Sequence, residues 1–360
     1  MSNLDLMFPN ARLTELGKIK VGGLGSVRQS AKGRAWRAPE KHSYFTITTM
    51  NRGPDQAGAR GDLLNDTQLM DELKQNPALC DENGNLVRLP IFVMSNDIGT
   101  IMQSSYVWYG GRTVGARTQI QGEGLVVTWF HDRTNGNKLA EPVTEPWNPD
   151  CLTLANSQGA LLFKKHTVFN CIIASTSARF GGVYKFRTTS VITGDQLYSA
   201  LVDLAGKCAG MLVGLPMYLF VAPRQVAPDG KPTTVYTVGL EMRGADLLEL
   251  RNRAVEMAKA LAGREEQMKE IEAQQRKLLV APGMEPQAEA AEINEEFSPD
   301  TAHDEPPAPA EDADWIEIID KGEIPEITKP AEVVEQKPAE SQPPQEPGKG
   351  DFDEQGGLPF

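Results

Sequence analysis

Apolar and polar positions alternate with a period of two along most of the first 243 residues, the pattern of half-buried strands. Arg12–Val21 (RLTELGKIKV) alternates and ends at glycines, and Ser43–Thr49 (SYFTITT) is dense in β-branched and aromatic residues. Further strands are predicted over Val87–Met94, Gln103–Tyr109, Gly124–His131, Ala160–His166, Val168–Ala174, Val183–Ser190, Leu212–Ala222 and Thr233–Met242. Asn135-Gly136 predicts a hairpin turn, and the proline-bearing stretch Glu141–Asp150 predicts an irregular connection. Two segments switch to helical spacing. Asp66–Gln75 stops before Pro77, and Thr193–Met211 places Leu197, Leu201, Leu204 and Cys208 on one face, with Thr193 or Asp195 available as cap. The predicted body is α+β: a β-rich, barrel- or OB-like domain over residues 1–243 with two or so short helices.

The pattern changes beyond Gly244. Residues 244–280 are rich in Ala, Leu, Glu, Lys, Arg and Gln, with no proline and one glycine inside the helical run, Gly263, which predicts one long charged helix. Its apolar positions keep no strict heptad, so it could pair with a second copy as a homo-oligomer or lie along its own body. Residues 281–350 are dominated by Pro, Glu and Ala and carry too little apolar surface to offset the entropy of ordering. They read as a disordered acidic linker leading to a separate tip, residues 351–360.

Charge sharpens this division. The 360 residues hold 36 Lys+Arg and 49 Asp+Glu. Residues 281–360 hold 4 and 22 of these, a net of −18, which leaves 32 and 27, a net of +5, on residues 1–280. The acidic overall balance therefore describes the tail and does not exclude a polyanion as ligand of the body.

Several function classes drop out. No stretch approaches 18 consecutive apolar residues, so no membrane span is expected. MSNLDLMFPN lacks a basic segment followed by an apolar one, so no secretory signal is expected, and the cytoplasm is the expected location. The four cysteines (Cys80, Cys151, Cys171, Cys208) form no CxxC pair and read as reduced core thiols. His42, His131 and His166 stand at no ligand spacing with one another or with the cysteines, so no metal site is predicted. GxSxG, HExxH and GxxxxGK[ST] are all missing, and the glycine run Val21–Ser26 lacks the apolar strand before it and the helix after it that a phosphate loop needs. No enzyme activity and no cofactor are expected.

What the body does offer is cations interleaved with rings. Lys32, Arg34, Trp36, Arg37 and Lys41 fall in one window, Trp108, Arg112 and Arg117 in a second, and Arg179, Lys185 and Arg187 in a third. Single-strand binders use this combination, the cations tracking phosphates and the rings stacking bases at about 1–3 kcal/mol each. In Tyr184-Lys185-Phe186-Arg187 the alternation places the rings on one face and the cations on the other. The aromatic face is expected in the core, and the Lys185–Arg187 face in solvent.

The chain closes with Asp351-Phe352-Asp353-Glu354, Gln355-Gly356-Gly357 and Leu358-Pro359-Phe360. This resembles the C-terminal tip of bacterial single-stranded-DNA-binding proteins, although Gln355–Gly357 stands where further acids are usual. The resemblance implies that the Phe360 ring and carboxylate, with Leu358, Pro359 and the acids Asp351, Asp353 and Glu354 beside Phe352, recruit replication or recombination enzymes of host or phage. The body resembles a different family. Arg12–Val21, Gly182–Ser190 (GVYKFRTTS), the helix Asp195–Leu204 and Leu212–Leu219 (LVGLPMYL) are similar to the large recombination directionality factors of serine-integrase phages. Three readings follow. The first is a phage or prophage single-stranded-DNA-binding protein of replication and recombination. The second is a recombination directionality factor that acts on a serine integrase. The third is a metal-dependent hydrolase, which no residue supports.

Overall fold

The computed structural model describes residues 12–29, 35–40, 42–54, 63–110, 113–155, 161–175, 177–178, 181–227, 232–243 and 246–297, with the side chains of 24–29, 35–40 and 295 excepted. The strands are β1 (Thr14–Lys20), β2 (Gly23–Gln29), β3 (Ala35–Glu40), β4 (Thr46–Arg52), β5 (Leu63–Asn65), β6 (Arg88–Phe92) and β7 (Met102–Gly110). They continue as β8 (Thr113–Gln121), β9 (Gly124–His131), β10 (Lys138–Pro146), β11 (Lys164–Ile173), β12 (Gly182–Thr188), β13 (Met217–Val226) and β14 (Thr233–Met242). The helices are α1 (Thr67–Lys74), the single turn α2 (Ile98–Ile101), α3 (Val191–Lys207), α4 (Leu247–Leu261), α5 (Glu265–Leu278) and α6 (Gln287–Phe297).

The architecture is α+β and strand-rich, but the sheet is open and no barrel closes. Its main path runs β10-β9-β8-β7-β11-β12-β1-β4-β5, with β2 and β3 paired apart. Every pairing is antiparallel except β1 with β12. The fork lies at β11, whose first half pairs with β7 and whose last two residues pair with β6, which continues to β13 and β14. The sequence divides this strand in two at His166; the chain runs through without a break because His166, Thr167 and Val168 are all buried.

One face of the sheet carries the main core. Ile19, Phe45, Ile47, Phe169, Cys171, Tyr184 and Phe186 pack there with Leu197, Leu201 and Leu204 of α3 and Leu69 and Leu73 of α1. Ser190, not Thr193 or Asp195, caps α3, its side chain accepting from the Thr193 N–H. Gly17 is required where β1 bulges between β12 and β4: a Cβ there would stand 2.1 Å from the Thr48 carbonyl oxygen. A second cluster, on the β7–β10 meander, gathers Trp108, Trp129, Phe163 and Val127. The predicted irregular stretch at Glu141–Asp150 is partly strand: β10 pairs with β9 across the Asn135-Gly136 turn, where Gly136 takes a positive φ.

The C-terminal half departs most from expectation. The single long helix of 244–280 is two helices, broken at Ala262-Gly263, where Gly263 adopts φ +90°. Nor does linker begin at residue 281. Pro282–Met284 form a turn, and α6 then lies across the sheet face opposite the main core, with Ala290 and Ile293 buried against Val107 and Tyr109. Composition averaged over seventy residues hides eleven whose apolar positions (Ala290, Ile293, Phe297) fall on one helical stripe. Among the described residues no helix is long and apolar enough to cross a membrane, and all four cysteines are free, Cys151, Cys171 and Cys208 being buried.

Candidate nucleic-acid interface

Strands β1, β4 and β12 place Lys18, Lys20, Arg52, Lys185 and Arg187 on the sheet face away from the main core. The register sets Lys18 directly beside Lys185 on parallel neighbours, a like-charge pairing that is repulsive by itself. Carboxylates lying over the strands relieve it. Glu15 of β1 accepts from Lys185 at 2.7 Å and Arg187 at 3.1 Å. Glu292 of α6 binds Lys18 and, at 2.6 Å, Arg52. Glu289 binds Arg187 and lies 3.8 Å from Lys185, and Glu296 holds Lys20 at 3.0 Å. Glu289, Glu292 and Glu296 recur at spacings of three and four, one stripe of α6 beside its apolar stripe.

Lys185 and Arg187 are therefore not the solvent-facing cations that the alternation suggests: their side chains are 7% and 8% exposed. Alternation distinguishes two faces of a strand but does not say that the polar one is wet, and here α6 covers it. Burial alone would raise the Glu15 carboxyl; the charges of Arg187 and Lys185 overturn that and hold it at about 2. Burial likewise works against ionised Glu292, and Lys18 and Arg52 prevail, leaving it below the usual carboxylate range. Glu285, just before α6, is raised by its burial; it accepts from the Tyr109 hydroxyl at 3.3 Å.

The remaining candidates scatter. Trp108 is 9% exposed and meets Trp129 edge-on at 6.4 Å, so its ring is core and not a stacking platform. Arg117 donates to the Gly283 carbonyl at 2.8 Å, helping to seat the turn before α6. Trp36 and Arg37 lie on β3, whose side chains are outside the described residues. Lys32, Arg34, Lys41, Arg112, Arg179 and the whole tip, Asp351 to Phe360, also lie outside the described residues. The structure thus brings together Lys185 and Arg187 and adds Lys18, Lys20 and Arg52; Lys18 and Lys20 open the basic run that leads to Trp36, Tyr44 and Phe45, and only strand pairing brings them and Arg52 to Lys185 and Arg187.

Beside this cluster a groove of about 830 Å³ opens. Lys18, Lys20, Lys185 and Arg187 line it together with Val235, Tyr236 and Val238; Glu296 and Phe297 also border it. His166 lies beneath Phe297, ring to ring at 5.6 Å, and burial, reinforced by Lys164 and Arg187, depresses it to about 3, so it is neutral at ordinary pH. Among the described residues no three His, Cys, Asp or Glu side chains are grouped to hold a metal ion.

The family model of Gp3-like, recombination directionality factor-like proteins matches residues 16–243. The chain belongs to that family. No curated protein and no solved structure matches. The matched span takes in β4, β12 and β1 from Leu16 onward of the Gp3-like protein, hence all five cations, and leaves out Glu15 and α6, so the acids that pair with them are outside it.

Proposed function

We propose that this Gp3-like protein is a phage recombination factor that works by binding and not by catalysis, and that its body holds single-stranded DNA. The observation that carries this reading is the row of five cations, Lys18, Lys20, Arg52, Lys185 and Arg187, on adjoining strands of one sheet face. Phosphates need such a row, and a monomeric core does not. In this reading the acidic tip then brings replication or recombination enzymes to the strand. The test is titration of labelled oligo-dT across a salt series. With roughly four phosphate contacts, the expected log–log slope is near −3. A slope near zero, or equal affinity for duplex DNA of the same length, refutes the reading.

The family match favours a second reading, a directionality factor that binds a serine integrase and switches the direction of recombination. The two separate in one assay, since oligo-dT binding without integrase belongs to the first reading alone. A purified integrase whose attachment-site preference changes on adding this protein, with no oligo-dT bound, establishes the second.

A further inference from the structure

We infer that the groove beside β1 and β12, with the cationic face that continues from it, is a phosphate-binding track for single-stranded nucleic acid, and that α6 occupies this track as an internal substitute which the strand displaces. The inference rests on the single-strand reading above and adds the place of binding and its control.

Three observations converge. First, charge: Lys18, Lys20, Arg52, Lys185 and Arg187 face Glu15, Glu289, Glu292 and Glu296, a net of one positive charge with α6 seated. Lifting α6 takes away three of the four carboxylates and leaves a net of four positive charges on the face. A rise of three charges on one patch is what a polyanion would meet. Second, an unfilled donor: Arg187 lines the groove, its side chain is nine-tenths buried, and its Nε–H has no acceptor among the described residues although the guanidinium is otherwise paired with Glu15 and Glu289. A phosphate oxygen in the groove would supply that acceptor. Third, the lining: Val235 and Tyr236 add apolar and aromatic surface to the groove that the cations also line, and Tyr236 is 39% exposed, available to a base.

α6 is suited to leaving. It holds the sheet through few apolar residues, mainly Ala290, Ile293 and Phe297, through the carboxylates of Glu289, Glu292 and Glu296, which phosphates can replace, and through the Phe297 carbonyl, which accepts from Lys164 at 2.7 Å. Glu296 and Phe297, at its end, border the groove itself.

The test uses the full chain and oligo-dT as probe, and compares wild type with the triple variant Glu289→Gln, Glu292→Gln, Glu296→Gln. The variant should bind at least about tenfold more tightly at low salt, within the usual range for coupled sites, and the difference should shrink as salt rises. Binding by the variant where wild type shows none supports the same conclusion. Hydrogen exchange on wild type provides a measurement that needs no mutation: saturation with oligo-dT should speed exchange at residues 287–297. If wild type and variant bind alike and residues 287–297 stay protected, the strand binds elsewhere: the inference fails, and single-strand binding stands but on a surface other than the five cations. If neither protein binds oligo-dT, both are overturned.

Discussion

Glu15 gives the most direct test of the buried charge network, because its depressed carboxyl and the usual cost of breaking a buried ion pair lead to the same loss of stability. Its side chain is 10% exposed and bridges Lys185 and Arg187. Holding the carboxyl at about 2 against its ordinary 4.5 corresponds to about 3 kcal/mol of stability at neutral pH. Removing one member of a buried ion pair typically costs about 3–5 kcal/mol, because the other member is left uncompensated. Glu15→Gln preserves shape and removes the charge, so urea unfolding at pH 7 should show a loss of about 3 kcal/mol. The sign of the pH dependence follows from the depressed value: the stabilisation is complete above about 4.5 and is lost as pH falls toward 2. The gap between wild type and variant should therefore persist at pH 5 and fall to about half by pH 3. Trp108 and Trp129 report unfolding from the separate meander cluster, away from the mutation. A gap under about 0.5 kcal/mol at pH 7, the scale of an exposed pair, or a gap unchanged from pH 7 to pH 3, refutes the network as described.

Two further outcomes are expected. His166, neutral and held at about 3, contributes stability that is complete above 6.5 and lost as pH falls, so wild type should lose about 2 kcal/mol relative to His166→Phe between pH 7 and pH 5 in paired urea titrations; parallel curves would place the ring in contact with water. Deleting Phe360 should weaken binding to a host exonuclease or primosomal helicase that reads acidic tips by about thirtyfold or more while oligo-dT affinity stays constant, and undiminished enzyme binding would make the likeness of the tip a coincidence of composition.

The strands were legible where local pattern and burial agree. Thr233–Met242 forms β14 with the predicted bounds, and Gly124–His131 forms β9 likewise. Thr113–Gln121 is absent from the prediction because TVGARTQIQ mixes glycine and arginine with exposed apolar residues; neighbours β7 and β9 fix it as a strand, which a single segment cannot reveal. The break at Gly263 was visible as a residue but not as a fracture, since one glycine in a helix costs only about 1 kcal/mol. The cationic cluster was half legible. Lys185 and Arg187 stand out beside their rings, whereas Lys18 and Arg52 join them only through strand order, a parallel pairing 167 residues apart in sequence for Lys18 and Lys185.

The covering of that face by α6 has a quantitative consequence for any ligand. A site open only a fraction of the time binds with an affinity reduced by that fraction, so each 1.4 kcal/mol of α6 docking weakens apparent binding about tenfold. The same carboxylates also stabilise the resting fold, because Lys18 beside Lys185 would otherwise repel. If the strand binds this face as proposed, stability and ligand affinity are opposed on one surface, and the balance lies with residues outside the family-matched span of 16–243. A change in α6 alone would shift the protein between a stable, weakly binding form and a less stable, tightly binding one without altering any of the five cations. A partner that captured the acidic segment would act in the same direction as those changes, which gives the integrase and single-strand readings a common physical route: engagement of one surface through release of another.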